Sequence, residues 1–226
     1  MGKLINFGSL NMDWVYSVPH LVGPGETLAC TGRSLFPGGK GLNQSLAAAR
    51  AGATVFHVGC LGEDGTSLLE LLKKAGVDTR CVEQIPQPTG HTVIQVTPQG
   101  ENAILVFQGA NGCLSSQQIH TALDLGEPGD LVLAQNETNS VSSILKSAHR
   151  RGLTVAFNSS PVPQRPEELP LEVVDLFLLN RREAVCLSGE EGSPQQLLQA
   201  LRRRYPKAAF VLTLGEKGSI YQDPFK

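Results

Sequence analysis

The sequence lacks any marked excess of charge of one sign. Its 226 residues include 19 Lys and Arg against 21 Asp and Glu, which gives a formal net charge of −2. Binding to nucleic acid or to an anionic membrane through general electrostatics needs clustered positive charge, so neither partner is expected. Apolar residues make up 41% of the chain, which is typical of a globular domain and not of a disordered one.

Long apolar runs and paired cysteines are also missing. No run approaches the length that spans a membrane, and the first residues, Met1–Phe7, do not have the composition of a signal peptide. The cysteines are odd in number, form no C-x-x-C pair and make a disulfide framework or a cysteine zinc site unexpected; they are Cys30, Cys60, Cys81, Cys113 and Cys186. We therefore expect a soluble protein of the reducing cytoplasm.

Two familiar nucleotide-binding motifs are absent. No G-x-G-x-x-G occurs, and the glycine-rich segment 37–44 is not a Walker loop, because Ser34 and Gly41 stand where that loop requires Gly and Ser or Thr. The segment nevertheless precedes a helical pattern, and its glycines would let the backbone approach a ligand. Lys40 and Asn43 are three residues apart and share a helical face. A flexible glycine-rich loop is the alternative interpretation.

What is present is an alternation of short apolar runs with amphipathic stretches. Continuous apolar strands between helices predict a mostly parallel, doubly wound α/β sheet with helices on both faces, in three layers. The predicted strands are Leu4–Phe7, Val55–Cys60, Leu131–Ala134, Thr154–Asn158, Leu176–Leu179 and Phe210–Leu214. The predicted helices are Gly41–Ala51, Ser67–Ala75, Ser115–Leu123, Ser140–Arg151 and Pro194–Arg204.

Two regions interrupt this alternation. Short strands are predicted at Asp13–Val18 and Glu26–Thr31, and a hairpin at His91–Thr97 and Asn102–Gln108. We interpret both regions, about 13–31 and 91–108, as a small sheet that projects from the main one and could act as a lid.

Polar side chains follow several of the predicted strands. Asn11 and Asp13 are two residues apart, so in an extended segment they point to the same side. An amide and a carboxylate at the carboxyl edge of a parallel sheet suit a ligand rich in hydroxyl groups. Glu137 follows another strand in the same way. Polar turns at the surface are the alternative interpretation of both segments.

Two further segments follow later strands. Asn180 and Glu183 fit a capping box that is purely structural, or a site in which Glu183 holds a hydrated Mg²⁺ near phosphates. In the turn 213–218, Gly215 and Gly218 carry no side chain that would exclude a flat base or a ribose, although a simple hairpin turn explains the same glycines.

Taken together, the segments resemble the ribokinase-type (PfkB) carbohydrate kinase family in order and over essentially the whole chain. The similarity is carried by Gly8-Ser9-x-Asn11-x-Asp13, Pro24-Gly25-Glu26-Thr27, Gly38-Gly39-Lys40-Gly41-x-Asn43-Gln44, Gly62-Glu63-Asp64, Gly109-Ala110-Asn111, Asn180-x-x-Glu183 and Thr213-Leu214-Gly215-x-x-Gly218. The second glycine motif is the most specific of these.

The resemblance implies ATP-dependent phosphorylation of the primary hydroxyl of a sugar, with ribose as the implied sugar. It implies a sugar site formed by Asn11, Asp13, Gly39, Lys40, Asn43 and Glu137, and a nucleotide site formed by Asn180, Thr213, Gly215 and Gly218. It also implies Mg²⁺ held through water by Glu183, and a lid that closes over the sugar and is compatible with a homodimer.

The chain departs from the family in one respect. The family's second signature, which contains the aspartate that takes the hydroxyl proton, should follow segment 213–218 but is expected beyond Lys226. The monovalent cation (K⁺) loop should lie there too, so K⁺ is expected only in a complete chain. We therefore expect an incomplete ribokinase-like domain over residues 1–226, truncated and weakly active alone. The alternatives are a non-catalytic sugar- or nucleotide-binding relative, and a related kinase for another sugar or a nucleoside.

Overall fold

The computed structural model describes residues 2–223, which form two β-sheets and six α-helices. The strands are β1 Lys3–Phe7, β2 Asn11–Ser17, β3 Gly32–Gly38, β4 Thr54–Leu61, β5 Asp78–Gln84, β6 Gly90–Val96, β7 Asn102–Phe107, β8 Leu131–Gln135, β9 Thr154–Asn158, β10 Leu176–Asn180, β11 Ala209–Thr213 and β12 Ser219–Gln222. The helices are α1 Lys40–Arg50, α2 Thr66–Lys74, α3 Ser116–Leu123, α4 Val141–Arg150, α5 Arg181–Ser188 and α6 Pro194–Arg204.

The larger sheet has eight strands in the order β12-β11-β10-β9-β8-β1-β4-β5. Seven of them are parallel, and β12 pairs antiparallel with β11 at one edge. Such a sheet must be covered on both faces because its interior strands are largely apolar and buried. The three-layer α/β fold predicted from the sequence is confirmed.

Two apolar clusters fill the space on either side of this sheet. Helices α1 and α2 pack on one face through Leu42 and Leu68, which are fully buried. Helices α3 to α6 pack on the other face, where the strands contribute Phe7, Phe157 and Phe177. The predicted strands and helices of the main layer agree with the observed ones to within about two residues at their ends, the ordinary uncertainty of a helix or strand boundary.

The strand order reverses between β1 and β8. From β1 the chain proceeds to β4 and β5 on one side, and then returns to β8, β9, β10 and β11 on the other. A reversal of this kind opens a crevice at the carboxyl ends of the two central strands, because the connections leave them in opposite directions. The fold therefore predicts a ligand site where β1 and β8 end, at Phe7 and Gln135.

The smaller sheet has four strands in the order β3-β2-β6-β7 and fits the predicted lid. One strand was placed wrongly: the sequence favoured Glu26–Thr31, whereas the strand that pairs with β2 is Gly32–Gly38. The reason is tertiary, because antiparallel pairing with β2 opposes Asn11 to Gly38 and fixes the register from there. A loop over residues 18–31 replaces the short turn that was expected.

Two further elements differ from the sequence-based expectation. Strand β5 was not predicted, because it is a polar edge strand in which only Cys81 is buried. Helix α5 follows Asn180 directly, so the capping arrangement suggested by the sequence does open a helix.

All five cysteines are free thiols. Within residues 2–223, no helix has the length and apolar character needed to cross a membrane.

Candidate active site

A cavity of about 270 Å³ lies at the carboxyl ends of β1 and β8, where the strand order reverses. The main sheet contributes the residues that follow these two strands, α1 contributes its first residue, and the small sheet covers one side. The lining residues are Ser9, Asn11, Lys40, Val106, Gln108, Asn111, Asn136, Glu137 and Pro161. Most of these residues carry amide, hydroxyl or charged groups, which suits a ligand rich in hydroxyl groups.

Glu137 is the main acceptor in this cavity. Lys40 donates to it twice: Nζ lies 2.6 Å from Oε1, and the backbone amide lies 3.1 Å from Oε2. Ser9 Oγ also donates to Oε2. The carboxylate therefore ties the start of α1 to the ends of β1 and β8. Because the ion pair is only partly exposed, solvent screens it less than it screens a surface pair.

Three glycines allow this close approach of α1 to the sheet. A Cβ on Gly41 would lie 2.4 Å from the backbone of Gly8, and a Cβ on Gly8 would lie 2.4 Å from Gly41 Cα. Gly39 has a φ of +96°, and a Cβ there would lie 2.6 Å from the carbonyl oxygen of Ser9. Any side chain at these positions would push the first turn of α1 away from the strand ends.

The small sheet presents Asn11 and Asp13 on one face of β2. Asn11 is fixed by buried Asn111, whose Nδ2 donates to Asn11 Oδ1 at 2.7 Å. Asp13 Oδ1 accepts a hydrogen bond from Thr92 Oγ1 at 2.7 Å, across the β2–β6 pair. Residues directly opposite in a sheet share a face, so Val106, opposite Thr92, also points to this side.

The structure thus brings together three of the six predicted sugar-site residues as cavity lining: Asn11, Lys40 and Glu137. Gly39 adjoins them as the residue that directly precedes α1, and Asp13 shares the face of β2 that carries Asn11 without lining the cavity. Asn43 is exposed in the first turn of α1 and is not part of the lining.

A second and larger cavity, about 680 Å³, lies at the same edge of the main sheet, after β10 and β11. Its lining includes three of the four predicted nucleotide-site residues, Asn180, Thr213 and Gly215. Gly218 closes the adjoining turn with a φ of +87° but is not among the lining residues. The midpoints of the β1–β8 pair and of the β10–β11 pair are three strand spacings apart, or about 14 Å at the usual distance between neighbouring strands.

The capping box at the start of α5 is complete. The Asn180 side chain accepts from the backbone amide of Glu183 at 3.0 Å, and Glu183 Oε2 accepts from the backbone amide of Asn180 at 2.9 Å. Glu183 Oε1 also accepts from Asn180 Nδ2. Glu183 is buried, so it does not line the larger cavity itself. In residues 2–223, no cluster of three or more His, Cys, Asp or Glu side chains could hold a metal ion.

The comparison with protein families agrees with this geometry. The model of the pfkB family carbohydrate kinases matches residues 1–224, nearly the whole chain. The chain belongs to the pfkB family.

Members of this family transfer a phosphoryl group to an alcohol, and this chain is a carbohydrate kinase by family. It is 35% identical over 219 residues to the ribokinase of Haemophilus influenzae, and the match covers 93% of this chain and 71% of that one. It is also 34% identical over 228 residues to the ribokinase of Bacillus subtilis, and the match covers 98% of this chain and 74% of that one.

Solved structures confirm the ribokinase-like fold. The ribokinase of Cryptococcus neoformans in complex with ADP superposes with a TM-score of 0.87 at 32% identity, covering 100% of this chain and 77% of that one. The ribokinase of Arabidopsis thaliana complexed with ribose and ATP gives a TM-score of 0.83 at 27% identity, covering 100% and 76%.

Several cavity residues of this pfkB-family chain were not predicted as site residues. Ser9 and Asn111 stand in the motifs Gly8-Ser9-x-Asn11-x-Asp13 and Gly109-Ala110-Asn111, which carry the family resemblance without indicating a site role for either residue. Asn136 precedes Glu137 directly and donates to the Pro161 carbonyl at 2.9 Å. Gln108 directly follows β7, and its Nε2 donates to the Glu137 carbonyl at 3.4 Å. No local sequence pattern indicates this contact.

Proposed function

We propose that this protein uses ATP to phosphorylate the primary hydroxyl of a sugar, with ribose as the first candidate. The observation that carries the proposal is the pair of cavities at one edge of one sheet. One is lined by hydroxyl-binding groups and the other by the residues that resemble the family's nucleotide site. Phosphoryl transfer depends mainly on positioning, so two adjoining sites on a rigid sheet are what the reaction needs.

In this proposal the sugar lies between the small sheet and the first turn of α1. On the side of the small sheet, Asp13 accepts hydrogen bonds from the sugar hydroxyls, and the Asn11 amide accepts or donates them. On the side of the main sheet, Lys40 donates hydrogen bonds to the hydroxyls and Glu137 accepts them. Glu137 already holds three donors, so a sugar hydroxyl has to exchange with one of them or share an oxygen. Gly39 leaves room for the ligand, and Asn43 adds an amide at the rim.

ATP is assigned to the larger cavity, with the base or ribose against Gly215 and Gly218 and the phosphates towards Asn180 and Thr213. The relatives that are solved with ADP or with ATP and ribose support this assignment. Mg²⁺ would be held chiefly by phosphate oxygens and water, because that ion keeps several waters and takes few carboxylates. Buried Glu183, with one hydrogen bond on each carboxylate oxygen, can orient such a water from behind Asn180.

A second candidate function is ligand binding without efficient transfer. Among the described residues that line the two cavities there is no aspartate, and the carboxylate of Glu137 already accepts three hydrogen bonds. A general base has to lie within hydrogen-bond reach of the proton it removes. We therefore propose that the 226 residues, as they stand, bind sugar and nucleotide more effectively than they transfer phosphate.

The small sheet is proposed as a lid that also pairs with the lid of a second copy. It carries six large apolar side chains that are 42% to 71% exposed, more than isolated surface residues require: Leu35, Phe36, Ile104, Leu105, Val106 and Phe107. Sedimentation at several protein concentrations tests this, with a dimer expected. A strictly monomeric chain that still binds sugar would contradict the pairing alone.

The function is tested with a panel of sugars, including ribose, 2-deoxyribose, fructose and adenosine as a nucleoside. Calorimetry measures binding by the 226-residue chain, and ADP release measures transfer. The proposal expects ribose to bind, with affinity enhanced by nucleotide, and ADP release to be slow. Binding of adenosine but not of any sugar would favour a nucleoside kinase, and no binding of either would refute the assignment.

A further inference from the structure

Three neighbouring strands at the centre of the main sheet place polar side chains beneath α1. Gln135 of β8, Asn6 of β1 and His57 of β4 are each fully buried. The interior strands of a parallel sheet are ordinarily apolar, since a buried polar group costs free energy unless it is hydrogen-bonded. Three such groups side by side, all on the face that α1 covers, need an explanation beyond core packing.

Asn6 is the centre of a hydrogen-bonded network, which we call the α1 anchor: Asn6, Ser45, His57, Gln135 and Gln44. Asn6 Nδ2 donates to the Gly41 carbonyl at 2.9 Å and to Ser45 Oγ at 2.8 Å. Asn6 Oδ1 accepts from Gln135 Nε2 at 2.8 Å, and the same amide donates to Gln44 Oε1 at 2.6 Å. Thus a strand side chain holds both the first turn and the middle of α1.

Proton positions in the α1 anchor follow from this pattern. Ser45 Oγ accepts from Asn6, so its own proton is free to be donated to His57 Nδ1, 2.8 Å away. Burial lowers the pKa of His57 to about 4, which keeps the ring neutral at pH 7 and lets Nδ1 accept. The other nitrogen then carries the hydrogen and faces the Gly8 backbone without a well-formed hydrogen bond. In this tautomer the hydrogen bonds run from Asn6 to Ser45 and from Ser45 to His57.

The α1 anchor lies directly behind the sugar cavity. Gly41, whose carbonyl Asn6 holds, is in backbone contact with Gly8 and follows Lys40 in sequence. The amide of Leu42 donates to the Ser9 carbonyl at 3.0 Å, so the same turn is tied to the end of β1. A shift of this turn by a few tenths of an ångström would move Lys40 relative to Glu137.

We propose that Asn6, Ser45 and His57 are positioning residues that fix the first turn of α1, and with it Lys40, and thereby set the affinity of the cavity for sugar. None of the three lines the cavity. The inference rests on the proposed function for its sugar readout, but the position of the turn can be measured without any ligand.

The test replaces Ser45 with Ala in the full 226-residue chain. Ser45→Ala removes the oxygen that joins Asn6 to His57 and leaves His57 Nδ1 without its partner. We expect the Kd for ribose, measured by calorimetry, to rise about 5- to 20-fold, which corresponds to the loss of one or two modest hydrogen bonds. The Kd for ATP should stay within twofold, and amide exchange should accelerate in residues 40–43.

The matched control is Ser147→Ala. Ser147 is also a buried serine on a sheet-facing helix, and its hydroxyl accepts a hydrogen bond from Arg150 rather than joining the anchor. It should leave ribose affinity and exchange in residues 40–43 unchanged. Ser45→Cys keeps a weak donor of similar size and should fall between Ser45→Ala and the unmodified chain, which also provides a reading if Ser45→Ala folds poorly.

Three results would overturn the inference: unchanged exchange in residues 40–43, equal loss of ribose and ATP affinity, or the same effects in Ser147→Ala. Failure of the unmodified chain to bind any sugar would instead contradict the proposed function. In that case, the exchange contrast between Ser45→Ala and Ser147→Ala still decides whether the α1 anchor fixes the turn.

Discussion

Gly38→Ala should weaken ligand binding at the proposed sugar site. Gly38 is buried on β3, opposite Asn11, and a Cβ built there would lie 2.0 Å from Oδ2 of Asp13 and 2.3 Å from its Cγ. Non-bonded contacts of a real Cβ stay above 3.0 Å, so the carboxylate must move by about 1 Å or change rotamer. Either movement breaks its hydrogen bond with Thr92.

The expected loss is that of one charge-assisted hydrogen bond to the sugar, about 1.5–3 kcal/mol, or roughly 10- to 150-fold in Kd. The matched control is Gly32→Ala on the same face of the same strand, where the added Cβ meets Ser17 Oγ at an ordinary 3.5 Å. Calorimetry with ribose and, separately, with ATP should show a weaker sugar Kd only for Gly38→Ala.

A double-mutant cycle tests whether Gly38→Ala acts through Asp13. In a chain that already carries Asp13→Ala, which itself should weaken ribose far more than ATP, Gly38→Ala should cause little further loss, since the group it displaces is gone. If Gly38→Ala binds ribose as tightly as Gly32→Ala does, Asp13 is not a sugar ligand in this position. Additive losses would show that Gly38→Ala acts through some other contact.

Three other predictions concern single charged or titratable groups. Glu137→Gln should weaken ribose about 10-fold or more by removing the ion pair with Lys40, whereas Glu70→Gln, in the exposed pair with Lys73, should change nothing measurable by calorimetry. Glu183→Gln keeps the capping box in an isosteric side chain, so the midpoint of thermal unfolding should stay nearly constant while the Mg²⁺ concentration needed for half-maximal nucleotide binding rises; a drop in stability alone would leave Glu183 a capping residue. The pKa of His57 falls from 6.5 to about 4 on folding, so between these pH values the unfolded chain binds a proton that the native chain does not bind. The free energy of unfolding should therefore decrease by roughly 3 kcal/mol as the pH is lowered from 6.5 to 4. Denaturant unfolding should show this loss reduced in His57→Asn but not in His149→Asn.

The main layer of the fold was predictable because its signal is local. Apolar content predicts strands such as Thr154–Asn158, and apolar spacing with capping residues predicts helices such as Pro194–Arg204. The errors lie at edges. Strand β5 is polar and pairs on one side only, and β3 contains Pro37 and takes its register from β2. In both cases pairing with the neighbouring strand determines the position of the strand, which the local sequence does not predict.

The residues of the candidate site likewise fall into those that a local sequence pattern indicates and those that only long-range contacts reveal. Lys40 and Glu137 could be named because glycines and strand ends mark the places where the backbone approaches a ligand. Asn111 could not be assigned a role, since its value lies in a hydrogen bond to Asn11, 100 residues away along the chain. The α1 anchor was equally hidden, because Asn6 and His57 look like ordinary interruptions of apolar strands until the register places them side by side.

The unbroken parallel register from β1 through β8, β9 and β10 to β11 has a mechanical consequence. Both cavities lie at the edge of one hydrogen-bonded sheet, so the distance between them is set by the strand spacing. This distance resists thermal fluctuation far better than a gap between two hinged lobes would. Under the proposed function, closing the distance between donor and acceptor is left to side chains and to the small sheet, which is proposed as a lid. Under that proposal, the main sheet holds the two sites in a fixed relative position before either ligand binds.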